Sequence, residues 1–227
     1  MARKKGKGGG KGKRAQQRAQ YDELDKYPVI PPHAFARIVR DKQTLNILYQ
    51  IIEPPLTKKE QEQREEIMDI FIRSLTANIE DIDADPDAYL RTALDKVIKS
   101  YGMKINEKSK SKMFYYLRRD LIGYGKMDML MHDVNVEDIS LDGTNVPIFA
   151  YHRKFESIET TCVWETDHEL ESYVIKLAQR CGKHISVAEP LLDATLMDGS
   201  RIVMKLGREI STRGSAFCIR RFKDDPF

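Results

Sequence analysis

Residues 191–222 run LLDATLMDGSRIVMKLGREISTRGSAFCIRRF, and they carry the strongest strand-and-turn pattern of the chain. Two short runs, 191–197 and 202–206, flank Asp198-Gly199-Ser200-Arg201. The Asp-Gly step predicts a tight turn joining two antiparallel strands. A third run, Ser215 to Phe222, is rich in strand-forming residues and carries Arg220-Arg221 near its end. Neighbouring side chains on a strand project to opposite faces, so at most one of those two arginines faces a given ligand. The chain stops soon afterwards, at Phe227. Such an ending predicts that the sequence is part of a larger protein.

Working outward, charge separates the chain into two. Residues 1–19 hold Arg3, Lys4, Lys5, Lys7, Lys11, Lys13, Arg14 and Arg18 and no acid. The whole chain carries +3, so removing the +8 of this tail leaves −5 for the remainder. The tail is Gly-rich and poor in large apolar residues, which predicts disorder over about residues 1–26. Its uses are contact with an anionic membrane face, contact with nucleic acid, or solubilisation. No apolar core follows it as in a signal peptide, and no apolar run approaches the roughly 20 residues of a membrane span. Cys162, Cys181 and Cys218 are odd in number and lie in apolar surroundings, which predicts reduced core thiols in a cytoplasmic protein.

Between the tail and the closing strands the spacing predicts an α+β fold. Tyr27–Pro32 is a proline-punctuated lead-in to two paired strands, Ala34–Arg40 and Leu45–Ile52, with Leu45, Ile47, Tyr49 and Ile51 on one face. Three helices follow. The first starts at a Thr57/Glu60 capping box and carries Ile67, Ile70, Phe71 and Leu75. The second starts at Asp85-Pro86, carries Leu90, Ala93, Leu94, Val97, Ile98 and Tyr101, and stops at Gly102. The third runs from Asn106 through Met113, Phe114, Leu117 and Leu121 to Gly123 and Gly125. A short helical turn over 125–131, strands near 137–141, 146–151 and 159–164, and a helix capped by Thr166/Glu169 complete the pattern. That last helix places Leu170, Tyr173, Val174, Leu177, Ala178 and Cys181 on one stripe. The predicted division is a tail to residue 26, a hairpin-and-helix part over 27–123, and an α+β part over 124–227 with a mostly antiparallel sheet.

Several chemistries are excluded. No G-x-x-x-x-G-K-[S/T] phosphate loop is present, and no C-x-x-C or H-x-x-x-H pair proposes a metal site. Cys181 belongs to the apolar stripe, so its spacing from His184 does not make a nucleophile–base pair. His132, His152 and His168 are isolated and expected on the surface or in turns. What remains is arginine: Arg201, Arg208, Arg213, Arg220 and Arg221. The planar guanidinium suits phosphate oxygens, although periodicity alone equally allows solvated turn and strand charges.

The series Gly125-Lys126-Met127-Asp128-Met129-Leu130-Met131-His132-Asp133, Val136-Glu137-Asp138-Ile139-Ser140-Leu141-Asp142-Gly143 and Pro147 to His152 resembles the N-terminal domain of the type II/type IV secretion ATPase superfamily. It resembles most the archaeal branch that powers archaellum rotation and type IV pilus assembly. The resemblance continues through Leu177-Ala178-Gln179-Arg180, Gly182-Lys183, Ile185 to Pro190, Asp198-Gly199-Ser200-Arg201 and Gly214 to Phe222. It reaches back more weakly to Pro31–Ala36 and to Tyr49–Thr57. One departure is Met197, where the family usually has proline before the Asp-Gly turn.

What the resemblance implies is specific. A C-terminal RecA-like domain would hold ATP and Mg2+, and six copies would form a ring acting on a polytopic membrane platform protein. The protein would lie in the cytoplasm at the inner face of the membrane. No catalytic residue and no metal ligand is expected in this chain, which lacks Walker A and B motifs and would not hydrolyse ATP alone. By motif position, Arg201 and one of Arg220 and Arg221 would reach the nucleotide phosphates, with Asp198, Gly199 and Ser200 forming the turn beside them. The alternative is a non-enzymatic binding module that uses its basic tail on anionic lipid or nucleic acid. The acidic remainder of the chain argues against nucleic acid.

Overall fold

The computed structural model describes residues 20–74 and 85–222. The fold is α+β, as the spacing predicts. Its strands are β1 (Tyr21–Ile30), β2 (Ala34–Asp41), β3 (Ile47–Ile52), β4 (Val136–Leu141), β5 (Pro147–His152), β6 (Glu156–Val163), β7 (Leu191–Thr195), β8 (Arg201–Lys205) and β9 (Ala216–Arg220). The α-helices among the described residues are α1 (Lys58–Ser74), α2 (Pro86–Ser100), α3 (Glu107–Leu117), α4 (Asp128–His132) and α5 (Asp167–Arg180). The described residues fall into two compact units. One gathers 20–29, 35–52 and 133–222; the other gathers 30–34, 53–74 and 85–132.

In the helical unit the predicted Thr57/Glu60 capping box and the Asp85-Pro86 helix start are in place. Thr57 N–H donates to Glu60 Oε2 (2.8 Å) while Glu60 N–H donates to Thr57 Oγ1 (3.3 Å). The Glu60 carboxylate also accepts from Ser109 Oγ (2.7 Å) and Lys112 Nζ (3.1 Å). These bonds, first of all the one from the Thr57 amide, pull its pKa down to about 2. Asp85 caps α2 with Pro86 at the first turn, and Asn106 caps α3. The three apolar stripes meet in one core of Ile67, Phe71, Leu90, Leu94, Val97, Met113 and Leu117. Leu75 lies outside the described residues. Tyr101 is exposed, because it falls beyond the last full turn of α2. After α3 the backbone continues through a π-helical turn, Arg118–Ile122, before Gly123 ends it.

The sheet unit is a nine-stranded sheet in the order β1-β2-β3-β6-β5-β4-β9-β8-β7. The β3–β6 pair is parallel; the registered pairs β2–β3, β4–β5, β4–β9, β5–β6, β7–β8 and β8–β9 are antiparallel. Helix α5 covers one face, where Trp164, Tyr173 and Phe217 pack in tilted and edge-on contacts with ring centroids 4.8–6.1 Å apart. Leu170, Val174 and Leu177 of α5 and Ile202, Met204 and Ile219 of the sheet are fully buried.

Four expectations need correction. Residues 21–26, grouped with the tail by composition, open strand β1, where Glu23 and Asp22 pair with Arg37 and Lys42 of the neighbouring hairpin. A polar edge strand lacks the apolar alternation that identifies a half-buried one. Leu45 does not join the β3 face: it sits in the preceding turn at φ +60° and is exposed. Cys218 is exposed, since strand alternation places it on the face opposite the α5-packed Phe217 and Ile219. His152 is 2% exposed, not a surface residue, and belongs to a buried polar network.

Candidate functional site

The closing strands build the site. The turn after β7 is tight: Gly199 N–H donates to Leu196 O (3.0 Å), and Leu196 N–H donates to Ser200 O (2.8 Å). Gly199 sits at φ +82°, where a side chain would be strained, and a Cβ there would lie 3.1 Å from Phe222 Cγ. Asp198 receives the Ser200 amide at Oδ1 (3.1 Å) and the Ser200 hydroxyl at Oδ2 (3.0 Å). This turn fixes the register in which Thr195 faces Arg201.

Across the next pair, Arg201 lies directly opposite Arg220, and Arg220 lies opposite Asp138 of β4. One row thus crosses four strands: Thr195, Arg201, Arg220, Asp138. Ile202 and Ile219, each one residue along, point into the α5-covered core. Arg201 and Arg220 therefore project from the open face, with side chains 73% and 80% exposed. Like charges directly opposite each other disfavour strand pairing. Here each has one lateral carboxylate: Arg201 Nη2 to Asp193 Oδ2 (3.3 Å) and Arg220 Nε to Asp138 Oδ1 (3.1 Å). The Asp138 bond raises the Arg220 pKa further. Exposed pairs of this kind bind weakly and are readily exchanged.

Arg221 goes the other way. Its backbone N–H donates to Glu137 O (2.9 Å), and its Nη1 donates to the carbonyl oxygens of Asp133 and of Val136, the latter at 3.0 Å. Burial lowers its pKa, opposed by the Asp133 and Asp198 charges. Arg208 is engaged with Asp167 (2.6 Å), and the Arg213 carbonyl holds Thr144 N–H (3.2 Å). Of the five arginines singled out in the sequence, the fold brings Arg201 and Arg220 together and leaves the other three elsewhere.

Sequence reasoning missed a second polar cluster in the same unit. Asp133 Oδ2 accepts from Tyr27 (2.7 Å) and from Tyr49 (2.6 Å), both hydroxyls. His152 Nδ1 accepts the Lys154 N–H (3.1 Å), so its Nε2 carries the proton and donates to Tyr27 Oη (2.9 Å). Burial raises the pKa of both tyrosines and lowers that of His152. No local pattern could reveal this cluster, because Tyr27 and Asp133 lie 106 residues apart. Burial also raises the Cys181 thiol, which leaves it a poor nucleophile. Among the described residues no three His, Cys, Asp or Glu side chains come together to hold a metal ion, and no helix is long and apolar enough to cross a membrane.

The chain is thus an α+β sheet domain with one face packed on a helix and two arginines at opposed strand positions on the other. No family model matches the chain. It is 40% identical over 164 residues to uncharacterized protein MJ1288 of Methanocaldococcus jannaschii, an alignment covering 72% of this chain and 65% of that one. In the same organism it is 31% identical over 205 residues to uncharacterized protein MJ0900, covering 88% of this chain and 36% of the relative. The chain thus spans less than two thirds of the length of these curated relatives. Among solved structures it is similar to the VirB11 ATPase of the Brucella suis type IV secretion system, with TM-score 0.38 and 16% identity over 50% of this chain and 32% of that one.

Proposed function

We propose that this chain is the N-terminal part of a hexameric secretion or motor ATPase, and that Arg201 and Arg220 face the phosphates of bound ATP. One observation carries the proposal: two exposed guanidiniums occupy directly opposed positions on β8 and β9, each offset only by an exchangeable carboxylate. An incoming polyphosphate would replace Asp138 and Asp193 and relieve the repulsion between the two cations. The ordered motif series from Gly125 to Phe222 supports the family reading. ATP would supply the transferable phosphoryl group, with its Mg2+ held by a RecA-like domain. This chain's part is to place two fixed positive charges where phosphate charge develops. Arg221, committed to backbone carbonyls, supports β9 and does not reach the ligand in this reading. In the whole protein the basic tail would lie against the anionic inner face of the membrane, beside a platform protein.

Titration with ATP and with tripolyphosphate, followed by NMR at the arginine Nε–H groups, tests the proposal. Both ligands are expected to shift the Arg201 and Arg220 signals saturably, and the Arg201→Ala/Arg220→Ala variant to lose the response. Saturable shifts confined to other groups would overturn it. A binding module acting through its tail would instead bind anionic vesicles with steep salt dependence, lose that binding on deletion of residues 1–19, and leave the arginine signals unmoved.

A further inference from the structure

Two guanidiniums grip one polyphosphate only if the strand ends that carry them stay aligned, and Arg201↔Arg220 is the last rung of the β8–β9 ladder. Strand ends beyond the last rung fray unless something continues the pairing. Here a side chain does so. Ser200, directly before Arg201, is 1% exposed, and its hydroxyl accepts the Phe222 backbone N–H at 3.0 Å. The same hydroxyl donates to Asp198 Oδ2 (3.0 Å), so both its hydrogen and a lone pair are used. Phe222 follows Arg220 by two residues, and its ring packs on the turn at Gly199. On the opposite side of β9, the Arg221 guanidinium is fastened to the carbonyls of Asp133 and Val136. The end of β9 is thus held at both flanks, one residue and two residues past Arg220.

We propose that Ser200 and Arg221 are positioning residues that keep Arg220 facing Arg201, so that a single polyphosphate spans both. The proposal rests on the phosphate reading given above. Its physical basis is preorganisation: a strand end already fixed spares the ligand the ordering of Arg220 at the moment of binding. Neither positioning residue touches the ligand. Removing the Ser200 hydroxyl takes from the Phe222 amide the side-chain acceptor that ties it to the turn.

A double-mutant cycle with tripolyphosphate and the full 227-residue chain tests this. Ser200→Ala is expected to weaken binding about tenfold, the size of one lost hydrogen bond expressed as affinity. In an Arg220→Ala background the same substitution is expected to change nothing further, because there is no longer a pair to align. A merely structural role would give the same loss in both backgrounds, and that additivity would overturn the proposal, as would no loss in Ser200→Ala itself. Should Ser200→Ala fail to fold, Arg221→Lys, which keeps the charge and removes the fork, is put through the same cycle with the same expected non-additivity. Failure of the unmutated chain to bind tripolyphosphate would overturn the phosphate reading, and this proposal with it. Binding by the unmutated chain with additive losses would overturn this proposal alone.

Discussion

The molecule uses paired arginines twice, in opposite ways. In the helical unit, Arg119 is 11% exposed and gripped by both oxygens of Glu53 (2.7 and 2.8 Å) and by Asp120 (2.7 Å). Arg64 holds the other oxygen of Asp120 (2.9 Å), and both guanidiniums lie over Tyr116, 4.8 and 5.1 Å from its ring centroid. Every strong acceptor there is provided by the fold. In the sheet unit, Arg201 and Arg220 are set opposite each other in the open, each with one lateral carboxylate. A guanidinium surrounded by fixed partners is a structural fastener. On the proposal above, two exposed guanidiniums at opposed positions, each with one exchangeable carboxylate, are instead a place for an anion from outside.

The largest expected effect separates these roles by stability. Arg119→Ala removes both contacts to Glu53 and one to Asp120, leaving Tyr115 and Arg64 as their partners, and is expected to destabilise the helical unit by about 3 kcal/mol in urea unfolding. Arg201→Ala in the same assay is expected to leave stability unchanged. Equal losses in the two variants would erase the distinction. Next is activity. In a polypeptide that also carries the phosphate loop, Arg201→Ala or Arg220→Ala is expected to lower ATP turnover about a thousandfold, the scale of an arginine that stabilises phosphoryl transfer. Unchanged turnover would return both arginines to the status of solvated surface charge.

A smaller effect carries the comparison into the buried part of the sheet unit. His152 packs against Tyr27, Phe155 and the Lys154 amide, with Asp133 and Asp25 as the acids and Lys154 as the cation in its field. Burial depresses its folded pKa below the ordinary imidazole value of about 6.5. The unfolded chain therefore takes up the proton first as pH falls. Stability from this group is complete above that value and is lost as pH drops from it toward the folded pKa. Urea midpoints measured from pH 8 downward are expected to fall below about pH 6.5 in the unmutated chain, and to fall less in His152→Gln. Identical pH profiles would show that the ring titrates as freely folded as unfolded.

Much of the local architecture was legible in the sequence because its causes are local. Thr57, Asp85, Asn106 and Thr166 cap helices within three residues of themselves, and Asp198-Gly199 sets its own turn. Strand alternation likewise parts Arg220 and Arg221 to opposite faces. The same alternation carried an unused signal. Cys218 is two residues from Arg220, so the face that exposes one exposes the other. What the sequence could not display was long-range pairing. Strand β1, with the sequence YDELDKYPVI, is a strand because β2 lies beside it, and β3 joins β6 across more than a hundred residues. The Asp133 cluster draws on β1, β3 and β5 at once, and none of its members has a telling neighbour. The facing of Arg201 and Arg220 belongs to this second kind: each was visible, but their opposition is a matter of register.

The tight turn at 196–200 and the longer connection at 206–215 make unequal demands on the gene. Changing the number of residues in the longer connection leaves β8 and β9 free to pair as before. A single codon lost or gained within the turn shifts β7 against β8 by one step, and one within β8 sends Arg201 to the α5 side of the sheet. Natural length variation should therefore gather in 206–215 and spare 196–205, and an engineered insertion or a fused reporter belongs in the former.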